Sequence, residues 1–122
     1  MSKETVIAVI DDDDSFRDSL VELLCSYAYG VRDFASADAF IATDEIDSYD
    51  CVITDIHMPG MNGIDLKRHL TARNFRVPVI MITARAEPGL EESAATSGAV
   101  CLLRKPFKAD VLIGCVEKAL GE

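Results

Sequence analysis

Residues 52–63 read VITDIHMPGMNG, an apolar run that ends in an acidic side chain and is followed at once by a turn. The run before Asp55 is too short for a helix, and the Pro, Gly and Asn residues that follow favour a turn. The pattern predicts a buried strand with Asp55 at its carboxyl end. Functional groups of open parallel sheets collect at the carboxyl ends of the strands, so Asp55 is a candidate site residue.

The rest of the chain repeats this alternation of a short apolar run and an amphipathic segment. Apolar runs without a two-residue period predict strands that are covered on both faces, and residues at helical spacing follow each of them. The predicted strands are residues 5–10, 31–34, 50–54, 79–82 and 99–103. We predict one domain, residues 1–122, with an α/β flavodoxin-like fold: a doubly wound, five-stranded parallel sheet of strand order 2-1-3-4-5 with five surrounding helices.

Capping residues and helix breakers set the expected helix ends. Asp14 or Ser15 is expected to cap the first helix, and Gly30 is expected to stop it. Pro88 suits the first turn of the fourth helix, and Gly98 is expected to end that helix.

Composition and charge restrict the classes of function. The chain has 122 residues and a net charge of −9, which disfavours direct contact with nucleic acid or anionic lipid. It carries no apolar run long enough to cross a membrane and no signal-peptide or lipidation motif, so the cytoplasm is the expected compartment. Four cysteines lack the spacing of a zinc site and are predicted to be buried free thiols: Cys25, Cys51, Cys101 and Cys115.

Five polar side chains follow the predicted strands at the points where the strands end. They are Asp11 and Asp12 after the first strand, Asp55 after the third, Thr83 after the fourth and Lys105 after the fifth. These strands are neighbours in the predicted sheet, so the side chains share one edge. Three adjacent carboxylates repel one another unless a cation lies among them, and an all-oxygen site suits Mg²⁺, with Mn²⁺ as a substitute.

A lysine and a hydroxyl beside such a metal are suited to bind a phosphoryl group. The chain has no Gly-rich loop of the kind that holds a nucleotide, so the protein itself is expected to carry the phosphoryl group. Asp55 is the predicted acceptor, because a carboxylate can attack phosphorus in line while Mg²⁺ and Lys105 neutralise charge on the phosphoryl oxygens.

Over its whole length the chain resembles the receiver domain of bacterial two-component response regulators. The resemblance rests on the acidic pair after the first strand, on Asp55 with the MPG turn and Gly63, on the ITA step at Thr83, and on the KPF sequence that begins at Lys105. The runs SADAF (36–40) and GAV (98–100) resemble the FixJ subgroup of the FixJ/NarL regulators most.

The resemblance implies a phosphorelay response regulator whose Asp55 takes a phosphoryl group from a phosphohistidine on a sensor kinase or phosphotransfer protein. It implies that Asp12, Asp55 and the backbone carbonyl of His57 bind Mg²⁺, with Asp11 acting mainly through a water. Thr83 and Lys105 are then expected to bind the aspartyl phosphate. The domain is expected to assist its own phosphorylation and dephosphorylation rather than to act as an enzyme on a released product. A cis peptide between Lys105 and Pro106 is also implied.

The resemblance also assigns switch and tuning positions. Family members carry an aromatic residue three positions before the lysine, where this chain has Leu102, so the usual aromatic readout is altered. His57 and Arg85 occupy positions that tune the lifetime of the phosphoryl group. The expected output surface is the fourth helix, fifth strand and fifth helix, and a phosphorylation-dependent homodimer is one expected use of it.

Less specific interpretations apply to neighbouring residues. Glu87 and Glu92 are expected to be exposed helix charges, and His57 and His69 are expected to face solvent. The chain is either a stand-alone receiver or the amino-terminal part of a longer regulator with a helix-turn-helix output.

Three other functions are compatible with parts of the pattern. A Mg²⁺ phosphohydrolase of the haloacid dehalogenase type would carry a second aspartate two residues after the nucleophile, where this chain has His57. A receiver that only docks a partner need not keep the five polar residues. A flavodoxin would need a Ser/Thr-rich phosphate loop, which the sequence lacks.

Overall fold

The computed structural model of the protein describes residues 4–121, which alternate between parallel strands and helices. The strands are β1 Val6–Ile10, β2 Gly30–Phe34, β3 Cys51–Asp55, β4 Val79–Thr83 and β5 Cys101–Arg104. The helices are α1 Asp14–Ser26, α2 Ala37–Ile41, α3 Gly63–Ala72, α4 Leu90–Ser97 and α5 Ala109–Ala119. A short 3₁₀ turn, Ile46–Ser48, precedes β3. Within residues 4–121, no helix combines the length and the apolar character needed to span a membrane.

The strand order is β2-β1-β3-β4-β5, and every neighbouring pair is parallel. The prediction of a doubly wound sheet of order 2-1-3-4-5 with five helices is therefore confirmed. Every residue of β3 and of β4 is buried, as expected for strands with helices on both faces.

Two apolar layers, one on each face of the sheet, account for the lack of alternation in the strand sequences. In β1, Ala8 and Ile10 face the layer that packs against α2, α3 and α4, whereas Ile7 and Val9 face the layer beneath α1 and α5. Both sides of each central strand are thus covered. The carboxyl ends of β1, β3 and β4 then lie side by side at one edge of the sheet.

Helix α1 begins one residue earlier than predicted. Its N-cap is Asp13, whose carboxylate accepts a hydrogen bond from the backbone N–H of Phe16, so the prediction of Asp14 or Ser15 is wrong. The acidic run therefore serves two structures. Asp11 and Asp12 follow strand β1, and Asp13 caps helix α1.

The end of α1 also differs from the prediction. Gly30 is the first residue of β2 and does not stop the helix. The stop is made by Ala28, which adopts a left-handed conformation with φ of 66°. The N–H groups of Ala28 and Tyr29 donate to the carbonyls of Cys25 and Leu24, which satisfies the last turn of the helix without a glycine.

Helix α4 begins at Leu90, after Gly89, so Pro88 lies in the preceding turn rather than in the first helical turn. Gly98 does end α4, with φ of 97°, as predicted. All four cysteines are free, but the prediction that they are buried holds fully only for Cys51.

Candidate functional site

Asp55 is the last residue of β3, the central strand of the sheet. It therefore lies in the middle of the row formed by the carboxyl ends of the strands. Its position is fixed by the ladder with β4, in which Asp55 pairs with Ile82 and the next residue, Ile56, donates its N–H to the carbonyl of Ile82 at 2.8 Å. The residue is only 8 % exposed. The strand thus holds the carboxylate in one place and largely out of water.

Two further carboxylates from the β1–α1 loop join Asp55. Oxygens of Asp11, Asp12 and Asp55 all lie within 4.8 Å of one another, as predicted from the strand ends. Asp11 is 1 % exposed, and its Oδ1 accepts a hydrogen bond from the backbone N–H of Asp13 at 2.9 Å. Asp12 is exposed and keeps its carboxylate accessible to water.

Burial raises the pKa of Asp55 from 3.8 to about 6, and the neighbouring charge of Asp11 adds to this increase. The ammonium of Lys105 acts in the opposite direction, because it favours the ionised carboxylate. A cation held among the three carboxylates would lower the repulsion further. Oxygen-only ligands with one side open to water fit a hard divalent ion such as Mg²⁺, so the three carboxylates could hold such an ion.

Lys105 reaches this cluster from the loop after β5. Its Nζ lies 3.4 Å from Oδ2 of Asp11 and 3.9 Å from Oδ2 of Asp55. The backbone N–H of Lys105 donates to the carbonyl of Thr83, which extends the ladder between β4 and β5 by one step. The peptide bond between Lys105 and Pro106 is cis, as the family resemblance implies.

Thr83 ends β4 and is 1 % exposed. Its hydroxyl is engaged with its own loop: Oγ1 accepts a hydrogen bond from the backbone N–H of Arg85 at 3.0 Å and lies 3.3 Å from the carbonyl of that residue. The side chain is therefore at the site edge but turned toward the β4–α4 loop. Leu102 on β5, which pairs with Met81, lines together with Thr83 an open groove of about 520 Å³ between that loop, α4 and β5.

His57 and Arg85, the two positions predicted to tune the phosphoryl lifetime, both contact Glu87. Nε2 of His57 lies 3.7 Å from Oε1 of Glu87, and a guanidinium nitrogen of Arg85 lies 3.6 Å from the same oxygen. Glu87 belongs to the β4–α4 loop and not to a helix, so its prediction as a helix charge is wrong. The prediction that His57 and His69 face solvent holds only in part, since both are half-buried and Nε2 of each is covered.

Two neighbours of the site were not predicted from the sequence. The Phe16 ring lies against the ammonium of Lys105, 4.0 Å from its centroid. The Arg17 guanidinium donates to the backbone carbonyl of Asp11 at 2.7 Å and also binds Asp14 and Asp33. Their positions in the first turn of α1 offered a signal, since that turn must lie beside the strand end it follows.

The family model for the response regulator receiver domain matches residues 7–117. FixJ, a transcriptional regulatory protein of Bradyrhizobium diazoefficiens, is 38% identical over 122 residues, which is 100% of this chain and 60% of FixJ. TdiR of Thauera aromatica is 34% identical over 96% of this chain and 52% of TdiR. The chain thus spans little more than half the length of these two relatives.

Solved structures give the same assignment. The crystal structure of FixJ-N superposes with a TM-score of 0.88 at 29% identity, covering 99% of this chain and 97% of that one. The response regulator StyR superposes with a TM-score of 0.90 at 34% identity, covering 98% of this chain and 60% of StyR. The acidic sheet edge, the fold and both kinds of comparison agree: this chain belongs to the response regulator receiver domain family of two-component signalling, close to the receivers of FixJ.

Proposed function

We propose that this receiver domain accepts a phosphoryl group on Asp55, in a Mg²⁺-dependent reaction in the cytoplasm, from a phosphohistidine of a sensor histidine kinase or phosphotransfer protein. The observation that carries the proposal is the convergence on one buried carboxylate. Asp55 has two carboxylates beside it and an ammonium within 3.9 Å, and it lies at the edge of the sheet. This is the arrangement that an acidic phosphoryl acceptor with a cationic partner needs.

In the proposed reaction a carboxylate oxygen of Asp55 forms a bond to phosphorus while the bond from phosphorus to the donor nitrogen breaks. Asp55 must be ionised to attack, and the ammonium of Lys105 favours that form. Asp12, Asp55 and the backbone carbonyl of His57 would hold the Mg²⁺, and Asp11 would act through a water. When bound, the ion supplies positive charge to the phosphoryl oxygens.

The proposed roles of Lys105 and Thr83 rest on their positions in the structure. Lys105 already points at the carboxylate pair and would bind a phosphoryl oxygen without a large movement. The Thr83 hydroxyl would first give up the hydrogen bond that it accepts from the backbone N–H of Arg85. Phosphorylation would thereby change the conformation of the β4–α4 loop, since the same loop loses a hydrogen bond when the site gains one.

The surface of α4, β5 and α5 is the proposed output. The groove between the β4–α4 loop and β5 includes Thr83, Arg85 and Leu102, so a movement of Thr83 would reach it directly. Val111 on α5 is an exposed apolar residue, 46 % accessible, on the adjoining helix. A phosphorylation-dependent homodimer is one proposed use of this face. Any contact with DNA would be made by another part of a longer regulator, because this chain carries a net charge of −9.

The test is the intact mass of the protein after incubation with acetyl phosphate, with and without Mg²⁺. The expected result is one phosphoryl adduct that forms only with Mg²⁺ and is lost in Asp55→Asn. Asp18→Asn removes an exposed carboxylate from α1 and serves as the matched control, which should be phosphorylated like wild type. An adduct that survives in Asp55→Asn would contradict the assignment of the acceptor.

A parallel incubation with a small phosphate ester separates the proposal from its alternatives. We propose that the domain is a signalling acceptor and not an enzyme for small phosphate esters, so the steady rate of phosphate release should not exceed the decay rate of the aspartyl phosphate. Rapid turnover of an ester would favour a phosphohydrolase. A folded, Mg²⁺-binding protein that forms no adduct would favour a domain that only docks a partner.

A further inference from the structure

The ammonium of Lys105 has an aromatic neighbour as well as two acidic ones. Nζ lies 4.0 Å from the centroid of the Phe16 ring, 3.4 Å from Asp11 and 3.9 Å from Asp55. The lysine side chain is only 20 % exposed. A cation at this distance from a ring centroid is attracted by the negative face of the ring, and this attraction is stronger where water is excluded.

The ring itself is held in place by a second aromatic residue. Phe107, two residues after Lys105, packs edge to face against Phe16 with a centroid separation of 6.1 Å and an interplanar angle of 86°. Phe16 lies in the first turn of α1, and Phe107 lies in the loop that carries the lysine. The aromatic pair therefore joins the two segments that supply Asp11 and Lys105 to the site.

A lysine needs such a restraint more than the neighbouring carboxylates do. Its four-carbon stem has many rotamers, and its charge can move away from the site into water. The carboxylates of Asp11 and Asp55 attract the ammonium but leave its other side open. The Phe16 ring covers part of that open side, so it restricts the ammonium to positions within reach of both carboxylates.

We propose that Phe16 is a positioning residue for Lys105, and that the face of its ring holds the ammonium ready for the phosphoryl oxygens. This inference rests on the proposed phosphorylation of Asp55. It assigns Phe16 an electrostatic role in addition to its packing beneath α1. An aliphatic side chain of similar volume would keep the packing but would not attract the cation.

The experiment compares three replacements of Phe16. Phe16→Leu removes the ring, replacement by pentafluorophenylalanine keeps its shape but reverses the charge distribution of its face, and Phe16→Tyr keeps an electron-rich face. Phe34→Leu is the matched control: Phe34 is also a half-buried aromatic residue beside β1, but its ring contacts are Phe40 and Tyr49. The first measurement is the rate of adduct formation with acetyl phosphate and Mg²⁺, which requires no kinase docking.

The second measurement does not depend on phosphorylation. Protons on the carbon next to Nζ of Lys105 lie near the ring face and should show an upfield ring-current shift in the NMR spectrum of the unphosphorylated protein. Phe16→Leu should abolish that shift, whereas Phe34→Leu should retain it. The signal is assigned by its loss in Lys105→Arg.

We expect Phe16→Leu and the pentafluorinated protein to be phosphorylated roughly two- to tenfold more slowly than wild type, with Phe16→Tyr close to wild type. A wild-type rate in the folded pentafluorinated protein would overturn the inference alone, because it would leave packing as the whole role of the ring. Failure of wild type to form any adduct would overturn the proposed function and the inference with it. A Lys105 signal without a ring-current shift in wild type would overturn the inference even if Asp55 is phosphorylated.

Discussion

Two regions differ in how firmly they are held. One is the carboxyl-terminal edge of the sheet with Asp11, Asp12 and Asp55, here the acidic edge. The other is the surface around helix α4, here the α4 face. The acidic edge lies at the ends of strands that include β3 and β4, which are fully buried. The helices beside it begin with side-chain caps, Asp13 for α1 and Asn62 for α3. Helix α4 begins after Gly89, has no side-chain cap and buries only Ala94 among its eight residues. A segment with few buried contacts opens more easily than the core around it. The acidic edge, which must hold charged groups in fixed positions, is thus rigid. Helix α4, which must respond to phosphorylation, is weakly anchored.

Thr83 lies at the border between these two regions. Its side chain is buried with the firmly held core, whereas its hydroxyl is hydrogen-bonded to the backbone of Arg85 in the weakly anchored β4–α4 loop. A change in the partner of one hydroxyl can therefore be passed to the β4–α4 loop without disturbing the sheet. Substitutions that loosen the acidic edge, or that alter the contacts of the β4–α4 loop, test this division.

The largest effect is expected at Gly63, where α3 begins directly against the acidic strand. A Cβ at this position would lie 2.6 Å from the backbone carbonyl oxygen of Asp55 and 3.1 Å from Cα of Ile56. Because both neighbours are backbone in the core, Gly63→Ala should reduce the free energy of unfolding by about 2–4 kcal/mol. Chemical denaturation measures the loss.

Gly114→Ala is the matched control for that substitution. Gly114 is exposed in the middle of α5, and apart from the surrounding backbone of α5 no atom of residues 4–121 lies within 4 Å of an added Cβ. The alanine should stabilise the protein by about 0.5–1 kcal/mol, since glycine is a poor helix former. Equal effects at the two glycines would contradict the view that the acidic edge is tightly packed.

The sequence predicted the rigid region well, because its signals are local. The uninterrupted apolar runs could only be strands covered on both faces, and a parallel sheet then brings the ends of those strands to one edge. Asp11, Asp12, Asp55 and Lys105 follow from that single step, and the structure brings them together. The cis peptide before Pro106 followed from the family resemblance and not from the physics of the sequence.

The errors arise where a local pattern has more than one physical solution. Ala28, in a left-handed conformation, ends α1 two residues before Gly30, which was expected to stop the helix and instead begins β2. Pro88 fits a helix start or the turn before one equally well. The roles of Phe16 and Glu87 depend on which loops face each other across the site, and no spacing along the chain encodes that distance.

The second prediction concerns the free-energy cost of ionising the buried carboxyl group of Asp55. The pKa of Asp55 is raised from 3.8 to about 6, mainly by burial, so the folded protein binds this proton more tightly than the unfolded chain does. Stability of the metal-free protein should therefore fall as the pH rises from about 4 to about 6, and the full penalty should remain above that range. Asp55→Asn should be more stable than wild type by about 1–2 kcal/mol at pH 7.5 in EDTA.

Thermal unfolding with and without Mg²⁺ provides the control for this effect. Mg²⁺ should stabilise wild type by an amount that grows with the logarithm of the Mg²⁺ concentration above its Kd, and should stabilise Asp55→Asn much less. The advantage of the variant should also disappear near pH 4, where the carboxyl group of wild type is protonated. A variant that is less stable than wild type at neutral pH in EDTA would show that Asp55 is not strained in the metal-free site.

The smallest effects on stability are expected at the contacts of Glu87 with His57 and Arg85. The distances of 3.7 and 3.6 Å, and the exposure of Arg85 and Glu87, indicate weak contacts. His57→Ala and Arg85→Ala should change the free energy of unfolding by less than about 0.5 kcal/mol. Both should nevertheless change the decay rate of phosphorylated Asp55, by about two- to fivefold, because both side chains line the open space beside Asp12 of the proposed site.

Decay is followed by intact mass after the phosphodonor is removed. If Glu87 restrains both side chains, Glu87→Gln should also shift the decay rate, whereas Glu91→Gln, an exposed charge on the first turn of α4, should not. Unchanged decay in both His57→Ala and Arg85→Ala would remove them as tuning residues. A change in decay for Glu91→Gln equal to that for Glu87→Gln would assign the effect to the general negative charge of the α4 face, and the border between the rigid and responsive regions would then lie beyond the β4–α4 loop.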